Sequence, residues 1–398
     1  MELTNKQEQG LRIAIDRYLH NEKYTVISGY AGTGKTTLVR FIIDALGLYD
    51  NEVCFACYTG KACQVLLQKG NKNVRTLHKL LYDSFPKPEG GFVRKPKLKL
   101  DEDYKLIVVD EVSMAPKELM DLLFKHRVHV ICLGDPFQLP PVDKNADNHL
   151  LDKPHIFLDE IMRQAAESEI IRLSTQVRNY ERIDNNFKGK EVKIFNQNEL
   201  NTGALLWADQ IIVGTNQTRI MINNTVRQCL GRGDKPEDGD KVICLRNYWD
   251  FLSEDDSSLV NGTIGYLQDS FESFVQIPMW AKSSNNVPSR VDIIQGNLIS
   301  DFGETYRNLS MDKKLILEGV NSLDWKTTYK LQKSPRTMHL VPYEFTYGYA
   351  ITCHKAQGSE YSKLLIYEEG FPYVKEEHAR WLYTACTRAA QKLVLVRP

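Results

Sequence analysis

The chain has 398 residues, 42% apolar and 26% charged, with 51 basic residues against 51 acidic. That length predicts about two or three domains with sizeable cores, and zero net charge means that bulk electrostatics announce no polyanionic partner. No apolar run approaches about 20 residues, which excludes a spanning helix, and the N-terminal residues lack the apolar core of a signal peptide.

Thr4 or Asn5 can cap a first helix whose apolar face carries Leu11, Ile15 and Leu19. Gln7 precedes the first strand, and its amide can read an adenine edge because it both donates and accepts. On a surface helix the same residue is ordinarily solvated. The apolar run 25–28 then leads into GYAGTGKT at 29–36, and a helical pattern follows through Ile43. Strand, glycine loop and helix in that order form a phosphate-binding loop. Gly29, Gly32 and Gly34 let backbone N–H groups curl around an anion, with Ala31, Thr33 and Thr37 completing the cradle at the helix N-terminus. Lys35 would reach the β- and γ-phosphates of a nucleotide, and the Thr36 hydroxyl would hold Mg²⁺.

The next apolar run, 53–58, reads as a buried strand. It contains Cys54 and Cys57, the only pair among eight scattered cysteines spaced as CxxC. With no second pair at ligand spacing, they read as small core residues of a reducing compartment, the cytoplasm. Thr59 and Lys61 open a helix in TGKA (59–62), and Thr76 and His78 open another in TLH (76–78). Such residues after a strand can grip a phosphodiester backbone; taken singly, each reads first as a helix cap or a solvated side chain. Between residues 82 and 103 the composition shifts to three prolines, a Gly90-Gly91 pair and the bases Lys87, Arg94, Lys95, Lys97 and Lys99. The glycine pair predicts a hairpin. Phe85 and Phe92 beside those bases suit a single-strand grip or a strand-splitting wedge, and a solvated basic loop fits equally.

The β-branched run 106–109 ends in Asp110-Glu111, a carboxyl end where ligands sit in open α/β sheets. Asp110 would hold the Mg²⁺ shell, and Glu111 would orient and deprotonate a water. A second such strand, 129–133, runs into GDPFQLPPV (134–142), where Gln138 is placed to sense the γ-phosphate. Arg163 follows the apolar stretch at 157–162 and would be a finger aimed at transferring phosphate, although an isolated Arg is ordinarily a surface residue. A second α/β unit begins with the strand 211–213, Thr215-Asn216 and a helix over 218–230. Segments 240–245 and 261–267 read as strands of a small β module, and the remainder up to about Pro342 reads as irregular. The α/β pattern resumes at 349–360, which holds Thr352, His354 and Glu360, and ends with a helix carrying Tyr383 and Arg388 before the strand 392–396. His354 has no second His or Cys at ligand spacing, so a hydrogen-bonding role suits it better than metal binding.

The order of these motifs resembles superfamily 1 DNA helicases of the RecD/Dda-like branch. The likeness covers nearly the whole chain apart from the basic hairpin and much of the insert. It implies an α/β fold of two RecA-like P-loop domains with parallel sheets, 1A (1–81 and 104–165) and 2A (166–235 and 343–398). A pin hairpin, 1B (82–103), with Phe92 at its tip, and an SH3-like module, 2B (236–342), would be inserted. It further implies a catalytic set of Lys35, Asp110, Glu111, Gln138, Arg163 and Arg388, with Glu360 near the nucleotide sugar. Single-stranded DNA would touch Thr59, Lys61, Thr76, His78, Phe92, Thr215, Asn216, Thr352 and His354. The expected cofactors are ATP and Mg²⁺. The expected partners are single-stranded DNA and single-strand/duplex junctions, with a single-strand-binding protein or replisome component as a further candidate. A cytoplasmic monomer moving 5′→3′ in replication, recombination or repair, encoded by a phage and acting in the host cytoplasm or serving as an accessory motor, completes the expectation. Two rivals are a translocase that strips proteins or remodels forks with little unwinding, and a P-loop switch, which lacks a guanine-reading Asn/Thr-Lys-x-Asp.

Overall fold

A computed structural model describes residues 3–86, 92–140, 147–254 and 257–398. The tip of the basic hairpin, with Lys87 and Gly90-Gly91, and the end of the GDPFQLPPV segment lie outside the described residues, as do the side chains of Phe85, Phe92, Arg94 and Arg163. The chain divides into two compact units, one of residues 1–82, 96–215 and 352–398, the other of 83–95 and 216–351.

The first unit opens with α1 (Asn5–Leu19), where the Thr4 side chain accepts from Gln7 N–H and the Gln7 side chain accepts from Thr4 N–H, a reciprocal cap. Then come β1 (Tyr24–Gly29), α2 (Lys35–Ala45), β2 (Val53–Cys57), α3 (Gly60–Gln68), β3 (Val74–Thr76) and α4 (Leu77–Leu81). The hairpin strands β4 (Tyr82–Pro86) and β5 (Phe92–Pro96), which fall mostly in the second unit, come next in the chain and pair with each other. Next are β6 (Leu106–Val109), α5 (Lys117–Leu123), β7 (His129–Gly134), β8 (Ile156–Leu158), α6 (Arg163–Ala166), α7 (Glu169–Arg178), β9 (Val192–Asn196), α8 (Thr202–Trp207) and β10 (Gln210–Val213).

Six strands form a parallel sheet in the order β3-β2-β6-β7-β1-β8. Its central strands are apolar at nearly every position because both faces are covered. Ile27, Leu106, Val108, Ile131 and Leu133 enter one core, while Val26, Ile107, Val109, Val130 and Cys132 enter the other. Alternation along a strand sends neighbours to opposite faces, so a strand buried on both sides must be apolar throughout. Cys54 and Cys57 of β2 are fully buried in this way.

Residues 216–351 hold α9 (Asn216–Cys229), β11 (Lys241–Cys244), β12 (Tyr248–Leu252), β13 (Ser258–Leu259), β14 (Ile264–Gln276), β15 (Arg290–Ser300) and β16 (Thr305–Asp312). They continue with α10 (Lys313–Glu318), α11 (Trp325–Gln332), α12 (Pro335–Met338) and β17 (Phe345–Tyr347). Five of these strands make an antiparallel sheet in the order β16-β15-β14-β11-β17. The stretch up to Pro342 is therefore not irregular, as its composition suggests, but strand and helix. The outer half of β14 alternates exposed and half-buried positions, with Phe271 and Phe274 exposed. A strand segment without fully buried positions lacks the apolar alternation that marks a strand.

The chain re-enters the first unit through β18 (Ala350–Thr352), then α13 (Cys353–Ala356), β19 (Tyr361–Tyr367), α14 (Lys375–Cys386) and β20 (Ala389–Arg397). There β10, β19, β20 and β9 pair in parallel in that order.

Candidate active site

Three neighbouring parallel strands, β6, β7 and β1, end side by side. Their carboxyl ends deliver Asp110 and Glu111, Asp135, and the glycine loop. Gly34 stands at the N-cap of α2 with φ 78°, and a Cβ there would come within 2.4 Å of Gln7 Nε2 and of the Met162 sulfur. The position therefore demands glycine on both backbone and packing grounds. Gln7, 1% exposed, donates from Nε2 to the Thr33 carbonyl at 3.1 Å and accepts at Oε1 from Thr4 N–H at 3.0 Å. Both ends of its amide thus hold the loop and the cap. Lys35 donates to the Gly29 and Tyr30 carbonyls at 2.7 and 3.0 Å, folded back along the loop.

Asp110 accepts from Glu111 N–H at 2.9 Å. Burial, then the neighbouring Glu111 carboxylate, push its carboxyl up to about 6, against the pull of Lys35. Glu111 itself adopts φ 49°, a left-handed turn that ends the strand and frees its side chain. Arg388, 5% exposed, donates from Nη1 to Glu111 Oε1 at 3.4 Å. With the Gln138 amide oriented to suit its neighbours, its nitrogen donates to Glu111 Oε2 at 3.1 Å and its oxygen accepts from Arg388 Nη2 at 2.9 Å. Glu111, Gln138 and Arg388 so close a triangle of hydrogen bonds, although Arg388 lies 277 residues from Glu111 in sequence.

Asp135, Tyr383 and Thr384 are site residues to which the sequence reading assigned no role. Asp135, 2% exposed, accepts from Phe137 N–H at 2.9 Å and from the Tyr383 hydroxyl at 2.6 Å. Burial pushes its carboxyl above the usual range, with Lys35 and the Tyr383 hydroxyl pulling it back. The same Tyr383 oxygen accepts from the N–H of Ala31 in the glycine loop at 2.8 Å. Thr384 accepts from Leu139 N–H at 2.9 Å, and Gln357 donates to the Leu139 carbonyl at 2.9 Å. Their signal was present, because Tyr383 and Thr384 lie in the same motif as Arg388, but hydrogen bonds across hundreds of residues leave no local pattern.

Thr36 opens α2 beside Lys35. A hydroxyl there and a carboxylate at Asp110, beside a second carboxylate at Glu111, are hard oxygen donors. That donor set fits Mg²⁺, which takes one or two carboxylates and leaves its other positions to water and phosphate. Among the described residues, no group of three or more His, Cys, Asp or Glu could hold a metal by itself.

The residues expected at nucleic acid sit as follows. Thr59 caps α3 by accepting from Ala62 N–H at 3.2 Å, and Thr76 caps α4 by accepting from Lys79 N–H at 3.2 Å. Lys61 is 7% exposed, and its ammonium donates to the Tyr361 hydroxyl at 2.9 Å while lying over that ring. His78 lies between Tyr58 and Tyr82, with ring centroids at 5.7 and 6.1 Å. Thr215 N–H and hydroxyl both donate to the Glu369 carboxylate at 3.0 Å. Asn216 opens α9 in the second unit and accepts from Arg219 at 3.2 Å. Thr352 ends β18, and His354 is exposed on α13. Glu360, expected near the nucleotide sugar, pairs with Lys69 at 2.5 Å.

Comparison with known proteins places this site in a lineage. Residues 3–193 match the AAA domain family, and residues 347–396 match the UvrD-like helicase C-terminal domain family. The chain is 34% identical to the ATP-dependent RecD2 DNA helicase of Deinococcus radiodurans over 39% of its own length and 21% of that protein. It is 28% identical to the ATP-dependent DNA helicase dda of Enterobacteria phage T4, over 45% of its own length and 43% of that protein. It thus spans less than half of each, although it aligns along 95% of Uncharacterized protein R530 of Acanthamoeba polyphaga mimivirus at 22% identity. Its fold is similar to that of Bacteroides Pif1 bound to ssDNA, with a TM-score of 0.51 and 18% identity, covering 99% of this chain and 92% of that one. The glycine loop and the paired carboxylates at the end of β6 lie in the AAA-domain match, Arg388 lies in the UvrD-like C-terminal match, and together with the RecD2 and dda relatives they make this chain similar to the Pif1/RecD/Dda-like helicases of superfamily 1.

Proposed function

We propose that this protein is an ATP-dependent DNA helicase that moves 5′→3′ on single-stranded DNA and separates duplex strands. The observation that carries the proposal is the Glu111–Gln138–Arg388 triangle beside the phosphate-binding loop. It puts a general base, a polar sensor and a fixed cation together, the set that phosphate cleavage by water requires. On nucleotide binding, Lys35 leaves the Gly29 and Tyr30 carbonyls for the phosphates. Glu111 orients the attacking water and accepts its proton, and Gln138 links that carboxylate to Arg388, whose guanidinium neutralises charge on the transferring phosphate. Thr36 and Asp110 would hold Mg²⁺, which when bound shields the phosphate oxygens. Arg163 is assigned as a second finger. Loss of the γ-phosphate removes the Arg388 contact and reopens the cleft.

In this reading 1–81 with 104–165, and 166–235 with 343–398, are the two RecA-like domains, 82–103 the pin and 236–342 an SH3-like module. Thr59, Lys61, Thr76, His78, Thr215, Asn216, Thr352 and His354 face the strand, and Phe92 parts the duplex. The protein works as a cytoplasmic monomer at single-strand/duplex junctions during replication, recombination or repair. No described helix is long and apolar enough to cross a membrane. The test is ATP-driven strand displacement from duplexes with only a 5′ or only a 3′ tail. Displacement from the 5′-tailed substrate alone is expected, and displacement from the 3′-tailed one alone would reverse the assigned direction. Stepping along single strands without displacement from either would favour a translocase that strips bound proteins.

A further inference from the structure

A phenol far along the chain hydrogen-bonds the backbone of the glycine loop. Tyr383 is 1% exposed, on α14, five residues before Arg388. Its oxygen accepts from the Ala31 N–H at 2.8 Å, and its hydroxyl proton goes to Asp135 Oδ2 at 2.6 Å. The ring stands edge-on to Phe137 with centroids 5.2 Å apart. The neighbouring Thr384 takes the Leu139 N–H. One turn of α14 therefore grips the loop that begins at Asp135 at three successive odd-numbered residues, and touches the phosphate-binding loop with the same oxygen.

We propose that Tyr383 is a positioning residue for hydrolysis, tying the Ala31 backbone to Asp135 and so setting the place of α14, and with it Arg388, relative to Glu111. This inference rests on the ATPase reading above and deepens it. The geometry favours a positioning role over a purely structural one for a physical reason. A phenol filling core would need one partner, whereas this oxygen both accepts from the loop that holds phosphate and donates to a carboxylate electrostatically coupled to Lys35. A shift of the glycine loop when phosphate enters or leaves moves Ala31, and the hydrogen-bonded chain passes that shift to α14. Arg388 is fixed to the same helix end through its own bond to the Thr384 carbonyl at 3.2 Å.

The test uses Tyr383→Phe, Asp135→Asn and the double variant in the full chain. For each, kcat and KM for ATP with saturating single-stranded DNA, affinity for a fluorescent ADP, and the thermal midpoint are measured. Tyr383→Phe is expected to lower kcat about ten- to hundredfold, the range spanned by a hydrogen bond to a charged group, with KM and ADP affinity within about twofold. Asp135→Asn should give a comparable loss, and the double variant no more than the larger single loss, because both substitutions cut one chain. Should Tyr383→Phe fail to fold because it orphans a buried carboxylate, the double variant removes that charge and is compared with Asp135→Asn alone. Equal kcat values then support the proposal. A kcat for Tyr383→Phe within twofold of the parent, or fully additive losses in the double variant, overturns it. Absence of ATP hydrolysis by the parent protein would instead sink the ATPase reading itself.

Discussion

Lys35, Glu111 and Arg388 carry different kinds of burden, and substitutions should separate them. Lys35→Ala should still bind single strands but lose ATP turnover; undiminished hydrolysis by that variant refutes the site assignment. Arg388→Lys keeps the charge yet loses the planar fork that meets Glu111 and Gln138 together. Its kcat should fall by about a hundredfold, read in steady-state hydrolysis with single-stranded DNA. Asp110 adds a pH dependence. Its folded-state value, about 6, lies above the ordinary carboxylate value of 3.8. The folded protein thus binds the extra proton between those values, and the group's contribution to stability falls as pH rises through that window. On the proposal that Asp110 holds Mg²⁺, Mg²⁺-nucleotide needs the deprotonated form, and its affinity should drop about tenfold per pH unit below 6. Titrating a fluorescent Mg²⁺-ADP between pH 5 and 7.5 checks this, and a flat profile removes Asp110 from the metal shell. At this scale most of the site was legible, because a glycine loop and a carboxylate pair are local patterns. Tyr383 and Asp135 were not, because their significance lies in a bond between chain segments 248 residues apart.

Among elements, helix caps show how a local feature and a functional claim overlap at one residue. Thr59 caps α3, so Thr59→Ala should cost about 1 kcal/mol whether or not the residue meets DNA. Urea unfolding measures that cost, and single-strand affinity measures the rest; a loss of affinity with no loss of stability would mean that the cap is unimportant. The buried strands β2 and β7 carry a second prediction. Seven of the eight cysteines are buried and all are unbridged, with Cys229 the half-buried exception. Burial pushes the Cys54 and Cys353 thiols up to about 12. A thiol reagent should therefore label about one cysteine in the native protein, at Cys229, and all eight only after denaturation. Fast labelling of several would show that the β2 core opens readily. The parallel strands were readable from sequence because double-sided burial writes a continuous apolar run. The outer half of β14 was not, since it alternates only exposed and half-buried positions and so carries no such run.

For the whole molecule, the charge balance sets the expectation for binding. With no net charge to attract a polyanion, affinity must come from locally placed bases and backbone donors, and it should fall with salt by about 0.7 log units per log unit of salt for each phosphate contact. Anisotropy titrations of single strands of differing sequence between about 50 and 200 mM salt should give one negative slope with little sequence preference. A flat response would remove the backbone-contact reading. The residue order by itself determined the glycine loop, the carboxylate pair, the buried parallel strands and the family likeness, because each is written in neighbours a few positions apart. Only the tertiary structure decided that Gln7 joins the loop to its own helix cap through the two ends of its amide, that Lys61 lies against Tyr361, and that Arg388 and Tyr383 reach residues far earlier in the chain. Those pairings arise when parallel strands bring their carboxyl ends together, and a spacing pattern along one segment carries no information about which distant segment will lie beside it.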